Sequence, residues 1–356
     1  MFQDQFYQIH QSEAFKISQC MQHEHALANF FSSLLTNLGY STVDPVRRIW
    51  KRANKTVIVC LADDFNICGA DLSKSADQWF DVDTTIITDN FITAPTQYRV
   101  LQLPTSYFGI FGYTPHQQHY DPQKRFHFSV NRLDTQRQLI LFELLGQSGG
   151  LDQVLDQDYI NFNAMNPGSI NDTVEDIQTN FKKSWEPVAN FYSDTYNQDM
   201  SAVVRLLPVR NHTLSIEQAN VGAYLNLVVE TYAGNTTVTF SEKTFRSLVT
   251  PSPWTLFAAR GAVEYIKNLG FDVMLDLIDH SYDSDMHDHW PGNSRIKKYI
   301  SSSIQQYQHL TTLSKEHIAN RATIAAKHNQ QLLQKMKINW PRDFAAWLPE
   351  VIAQLE

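Results

Sequence analysis

Short strand-like runs alternating with helical segments along 356 residues predict an α/β protein of two Rossmann-like domains built on parallel sheets. Three observations carry that expectation. The length exceeds what one hydrophobic core usually supports. The run Thr56-Val57-Ile58-Val59-Cys60-Leu61-Ala62 is nearly continuous in apolar residues, as in a strand buried on both faces. The stretch from Pro115 to Pro122 is polar and bracketed by prolines, and it separates two α/β runs as a hinge would. The expected division is an N-terminal domain over 1–120 and a second domain over 121–338. A closing helix over 339–356 crosses back toward the first.

The elements follow in order. Ala26, Phe30, Leu34 and Leu38 recur every four residues and predict a helix that ends at Gly39. Strands are expected at Thr84–Thr88 and at Tyr98–Leu103, the second closed by Pro104. The second half opens with a strand over Phe126–Val130 and a helix over Asp134–Leu145, with Asp134 as its N-cap. Strands are then expected at Tyr224–Glu230 and Thr237–Phe240, followed by a helix opening at Ser241. A strand over Trp254–Ala258 and a helix over Ala262–Leu269, stopped by Gly270, complete the alternation. Residues 295–336 read as helical and polar. Residues 341–355 read as a separate amphipathic helix whose face is Trp340, Phe344, Trp347, Leu348 and Ile352.

Composition narrows the class of function. The formal net charge is −8, opposite in sign to what phosphate neutralisation along a nucleic acid favours. Cys20, Cys60 and Cys68 form no CxxC pair, and Cys60 in its apolar run reads as a buried free thiol, which fits a cytoplasmic setting. The first fifteen residues lack the basic start and apolar core of a signal peptide. No apolar run reaches the roughly 18–20 residues needed to span a bilayer.

The densest chemical signal is Thr239-Phe240-Ser241-Glu242-Lys243-Thr244-Phe245-Arg246. A strand ends, Ser241 takes the N-cap position, and an acid and a base open the helix. Backbone N–H groups and the dipole make such a terminus attractive to anions. Lys243 would add a positive charge beside a diphosphate, and Glu242 would accept hydrogen bonds from ribose hydroxyls. The plainer reading is a capped helix whose acid and base face solvent. Ser129-Val130-Asn131-Arg132-Leu133-Asp134-Thr135-Gln136-Arg137 repeats the strand–turn–helix layout, and Arg132 and Arg137 offer forked guanidinium groups. The plainer reading there is a surface arginine paired with Asp134 or Glu143.

Taken together, Asn226-Leu227-Val228-Val229-Glu230-Thr231, Ser241-Glu242-Lys243 and Pro253-Trp254-Thr255-Leu256-Phe257 resemble the donor-binding half of the α-1,3-fucosyltransferase family. Phe128-Ser129-Val130-Asn131 followed by Arg137 is similar to that family's Ser-Asn…Arg segment. Related glycosyltransferase-like proteins of phages and bacteria show Asn-Arg-x-Asp-x-x-Arg, Ser-Glu-Lys, Leu-Gly-Phe-Asp (here 269–272) and Asp-His-Ser-Tyr-Asp (here 279–283). The likeness spans roughly 125–300 and does not extend to the first 120 residues. It implies a GT-B architecture, two domains facing a cleft, with the second holding a nucleotide-sugar co-substrate and no cofactor. Carried over by position, Arg137 and Lys243 would contact the diphosphate, with Arg132 in reserve and Ser241 at the helix start. Glu242 would meet the ribose, and Glu230 would lie near the donor sugar.

The general base of an inverting reaction is not identified by the likeness. Asp63, Asp64, Asp71 and Asp89 flank expected strand ends and are the candidates. Asp81-Val82-Asp83 and Asp283-Ser284-Asp285 match the Asp-x-Asp pattern that holds a metal in other glycosyltransferases. Such pairs are frequent by chance, and a GT-B enzyme uses cations and a helix terminus instead, so no metal is expected. His280, His287 and His289 with Asp279, Asp283, Asp285 and Asp288 match no standard ligand spacing, and the stretch 283–292 reads as a solvated loop. His23, His25, His116 and His119 read as surface residues rather than ligands. The expected partners are a nucleotide-sugar and a saccharide or other small acceptor. Two alternatives stand beside that expectation. One is a phage-type enzyme acting on a hydroxymethylated DNA base, for which Arg47, Arg48, Lys51, Arg52 and Lys55 supply basic charge. The other is a non-catalytic protein that keeps the nucleotide-sugar fold for binding.

Overall fold

The structure, a computed structural model, describes residues 23–45, 48–61, 83–89, 91–92, 98–110, 119–132, 135–165, 186–201, 203, 209–230, 237–238, 240–284 and 294–356. Helix α1 (His23–Asn37) precedes strands β1 (Ser41–Asp44), β2 (Ile49–Arg52), β3 (Lys55–Cys60), β4 (Asp83–Thr88), β5 (Phe91–Ile92) and β6 (Arg99–Gln102). A 3-10 helix covers Thr105–Ile110. Next come β7 (Lys124–Arg132), α2 (Thr135–Gln147), α3 (Leu151–Gln157), β8 (Tyr159–Met165) and a helix α4 over 186–196. They are followed by β9 (Val209–Arg210), α5 (Ile216–Val221) and β10 (Ala223–Val229). The last third holds β11 (Thr237–Val238), α6 (Glu242–Val249), β12 (Trp254–Phe257), α7 (Ala262–Asn268), α8 (Ser294–Thr312) and α9 (Lys315–Leu355). None of the described helices is long and apolar enough to cross a membrane.

The chain divides into two compact α/β units. The first is Met1–Thr114 with Tyr232–Glu242 and Gln330–Glu356; the second is Pro115–Thr231 with Lys243–Asn329. Each contains one five-stranded sheet. Neither sheet is purely parallel, which corrects the expectation. In the first, ordered β1-β2-β3-β4-β6, the pairs β3–β4 and β4–β6 are parallel but β1–β2 and β2–β3 are antiparallel. Only Ala53 and Asn54 separate β2 from β3, too short a link for a parallel crossover, and Ala53 takes φ 51 to make the turn. In the second sheet, ordered β12-β10-β7-β8-β9, every pair is parallel except the edge strand β9.

The first unit's core rests on apolar strands and aromatic helices. Val57 to Leu61 are all buried, as the continuous apolar run requires. Cys60 among them is disulfide-bonded, not a free thiol, which removes that argument for a reducing compartment. Rings of α1 meet rings of α9: Phe30 lies 5.6 Å from Phe344, and Phe31 lies 6.2 Å from Trp347. Tyr107 of the 3-10 helix sits 5.3 Å from Trp340. The expected break before residue 341 is absent, and α9 runs unbroken through Pro341 and Pro349. Buried Trp340, Phe344 and Leu348 clamp the helix where each proline removes an N–H donor. Arg52 is spent on structure: it donates to the carbonyls of Leu38, Leu355 and Glu356 and stacks over Tyr40. The strand expected over 237–240 as part of the second domain instead pairs antiparallel with β5 in the first unit. Phe240 there packs edge-on against Phe108.

In the second unit, Phe126, Phe128, Leu225, Leu227 and Phe257 are buried, with Tyr307 and Tyr299 of α8 against Phe126 and Phe257. Arg125 forks onto Asp158 at 2.9 and 2.7 Å, and the backbone N–H of Phe126 donates to the same carboxylate. Burial pushes the Asp158 carboxyl up, against the downward pull of Arg125. Such a pair fixes the start of β7 against α3 more than it adds stability.

The closest backbone approach lies in the first unit, where a Cβ on Gly109 would stand 2.1 Å from the Lys337 nitrogen of α9. Gly109→Ala should therefore destabilise the chain by about 1–3 kcal/mol, the usual cost of overpacking against backbone. Urea denaturation measures it, and an unchanged midpoint would show that this approach is loose.

Candidate functional site

Four parallel strands of the second unit, β12, β10, β7 and β8, end at one edge, and the carboxyl ends of such strands are where α/β folds bind ligands. β7 ends at Arg132, and α2 begins at Thr135, with buried Arg137 as its third residue. β10 lies beside β7 in the register Leu227↔Phe128, and Glu230 follows its last residue. The Glu230 N–H donates to the Phe257 carbonyl at 2.9 Å, which extends the β10–β12 ladder by one residue. Its carboxylate is buried and accepts a hydrogen bond from the Thr244 hydroxyl. Thr244 is the third residue of α6, so the first turn of that helix is tied to the end of β10.

Helix α6 is held at its other end as well. Asn329, buried in α9, donates to the Leu248 carbonyl at 2.9 Å and accepts from the Asp272 N–H at 2.8 Å. Glu242 opens the helix exposed to solvent, and Lys243 is half-buried. The boundary between the units falls between these two residues: Ser241 and Glu242 group with the first unit, Lys243 with the second.

Packed against the end of β12 is Arg295, a residue that the sequence reading did not single out. Arg295, wholly buried at the start of α8, lies over the Phe257 ring at 4.7 Å and pairs with Asp283 at 3.4 Å. The other Asp283 oxygen accepts from the Val263 N–H at 2.9 Å, and its carbonyl accepts from the Gly261 N–H. Gly261 sits at φ 78, a conformation that favours glycine. Asp283 is therefore not a solvated loop residue, and the second Asp-x-Asp pair loses its first member to α7 and Arg295. Burial pushes the Asp283 carboxyl up to about 6.

A second polar cluster lies toward the amino ends of the same strands. His127 of β7 has Nδ1 at 2.6 Å from Asn220 Oδ1 and 3.2 Å from Asn226 Oδ1. Asn226 Nδ2 donates to Asn220 O, Ser252 Oγ and Pro253 O, which fixes that amide with its oxygen toward the ring. The His127 proton therefore sits on Nδ1. Burial lowers His127 to about 4. His280 is buried against Trp254, with Tyr282 OH and Val273 O on its two nitrogens, and burial lowers it too to about 4. Both histidines are neutral structural residues at pH 7.

Of the other residues expected to matter, the side chains of Arg132, His23 and His25 lie outside the described residues. So do Arg47, Asp63, Asp64, Asp71, Asp81, His116, Asp134, Asp285, His287, Asp288 and His289. Asp83 opens β4 exposed, and Asp89 is buried just after β4 in the first unit. Arg137 is not on the surface, and Glu143 accepts from Gln147 and Tyr196. Among the described residues, no group of three or more His, Cys, Asp and Glu side chains could hold a metal ion. Comparison with protein families, with characterised proteins and with solved structures returns no match for this chain.

The buried histidines set a pH dependence. Each is protonated in the unfolded chain below about 6.5 but in the folded chain only below about 4. Their contribution is full above pH 6.5 and is lost as pH falls toward 4, with a slope of about 1.4 kcal/mol per pH unit per proton. Asp283 acts in the opposite sense between its usual 3.8 and about 6. Stability should therefore rise with pH from 4 to 6.5, and rise more steeply in Asp283→Asn. Urea denaturation across that pH range tests this, and a flat profile in both proteins would contradict it.

Proposed function

We propose that the chain is a metal-independent glycosyltransferase of GT-B architecture. It moves a sugar from a nucleoside-diphosphate donor to a hydroxyl of a saccharide or other small acceptor. The observation that carries the reading is the Glu230–Thr244 junction, which sets the first turn of α6, with Lys243, at the carboxyl edge of the second unit's sheet. The neighbouring strand ends at Arg132 and leads to Arg137. A departing diphosphate gathers negative charge in the transition state, and fixed cations with a helix start offset that charge without a metal. Arg137 and Lys243 take the phosphate role in this reading, Glu242 the ribose and Glu230 the donor-sugar side. The engagement of Arg52 with backbone carbonyls weakens the basic cluster on which a DNA-directed reading depends.

Lys243→Ala should bind a nucleoside diphosphate about ten-fold more weakly or worse, the loss of one charge-assisted hydrogen bond. Its melting temperature should stay close to the parent's, since a residue in a helix's first turn carries little of the core. Calorimetric titration with uridine and guanosine diphosphates decides it, and equal affinity in the folded variant would leave α6 a capped helix and nothing more. Turnover should also survive EDTA. Activity lost to the chelator and restored by manganese or magnesium would return weight to Asp81-Val82-Asp83.

A further inference from the structure

Three hydroxyl side chains sit in or just after α6, and they do not behave alike. Ser247 donates to the Lys243 carbonyl at 3.0 Å and Thr250 to the Arg246 carbonyl at 2.8 Å. Both bond back to the residue four earlier, the usual outlet for a hydroxyl in a helix. Thr244 reaches away from its own helix to the Glu230 carboxylate just past the end of β10. Both partners are almost wholly buried, Thr244 at 2% and Glu230 at 1% exposure, so the hydroxyl has no surface to offer a ligand. A β-branched residue near a helix start is no asset to helix formation. Its place here is explained by the cross-link it makes.

Resting on the glycosyltransferase reading, we infer that Thr244 is the positioning residue of the donor site, acting through Lys243. Successive residues of a helix are offset by about 100° around its axis, so fixing Thr244 against Glu230 fixes the direction in which Lys243 leaves the helix. Asn329 on the Leu248 carbonyl fixes the far end, so α6 can neither roll nor slide to relieve a misdirected lysine. The ordering is complete before any ligand arrives, which lowers the cost of binding a diphosphate. The same bond holds the Glu230 carboxylate on a side-chain hydroxyl and away from the phosphates that Lys243 attracts.

The test is a double-mutant cycle in nucleoside-diphosphate affinity, read by calorimetry on the full chain. Thr244→Val keeps the shape and removes the donor, Thr244→Ser keeps the donor, and Lys243→Ala removes the cation. Thr244→Val should weaken uridine or guanosine diphosphate binding about ten-fold, close to the Lys243→Ala loss, and Thr244→Ser should restore most of it. In the Lys243→Ala background Thr244→Val should cost nothing further, because the two changes remove one interaction. Binding of the bare nucleoside, followed by NMR titration, should be unchanged in every variant. A merely structural threonine would instead lower nucleoside and diphosphate binding alike and add its loss to that of Lys243→Ala; that result overturns the inference. Wild-type affinity in Thr244→Val, with Lys243→Ala impaired, overturns the inference and leaves the glycosyltransferase reading standing. Equal affinity in wild type and Lys243→Ala, or no diphosphate binding by wild type, overturns both. Should Thr244→Val fail to fold, Thr244→Ala, which also removes the hydroxyl, carries the cycle with the same expected loss of about ten-fold, and additivity with Lys243→Ala overturns the inference as before.

Discussion

The hydrogen bond from Thr244 to Glu230 joins the end of β10 in the second unit to the first turn of α6, and much else in that unit is arranged around it. Glu230 is fixed from the strand side by its own N–H on the Phe257 carbonyl. Phe257 in turn lies under the Arg295 guanidinium, and Arg295 reaches Asp283, which holds the start of α7. A chain of polar contacts thus runs from β10 through β12 to α7, while Asn329 secures the other end of α6. Buried carboxylates and guanidinium groups are expensive to desolvate, and replacing such pairs with apolar residues is often neutral or stabilising. What they supply here is direction: a few side chains at one sheet edge each held in a single arrangement.

The amino half of the same strands uses a different device. His127, Asn220, Asn226 and Ser252 form a neutral network in which the Asn226 amide makes three donor contacts and its oxygen faces the imidazole. Neutral groups buried with their partners avoid the charge penalty and bind α5 and the turn before β12 to β7. The amino side of the sheet thus holds this neutral network in addition to the Arg125–Asp158 pair at the start of β7.

The sequence made some of this readable because some of it is local. Val57 to Leu61 and Leu227 to Val229 announce buried strands by unbroken apolar content, and Ser241-Glu242-Lys243 announces a helix start by its own order. β8 escaped notice although Ile160 and Phe162 alternate with Asn161 and Asn163, since asparagine is a poor strand former and its setting here comes from Ser129 on β7. Asp283 looked solvated because its neighbours are polar; the arginine that buries it stands on a helix begun eleven residues later. The assignment of Tyr232–Glu242 to the first unit depends on two residues of β11 finding β5 far back in the chain, and no local pattern encodes such a pairing. The role of Thr244 was hidden for the same reason, as only the fold brings Glu230 beneath it.

The closing segment of the first unit has a consequence for how the chain is made. Phe30 and Phe31 near the start find Phe344 and Trp347 near the end, and Tyr40 donates to the Leu355 carbonyl. A ribosome adds about 5–20 residues per second, so α1 and its sheet emerge roughly ten seconds or more before their partners on α9 exist. The second unit has all its strands translated by then and is free to settle first. Through that interval the first unit's aromatic surface is open, and the stage of synthesis most exposed to clumping or proteolysis is this wait. The portion of the chain born first is the last to be finished.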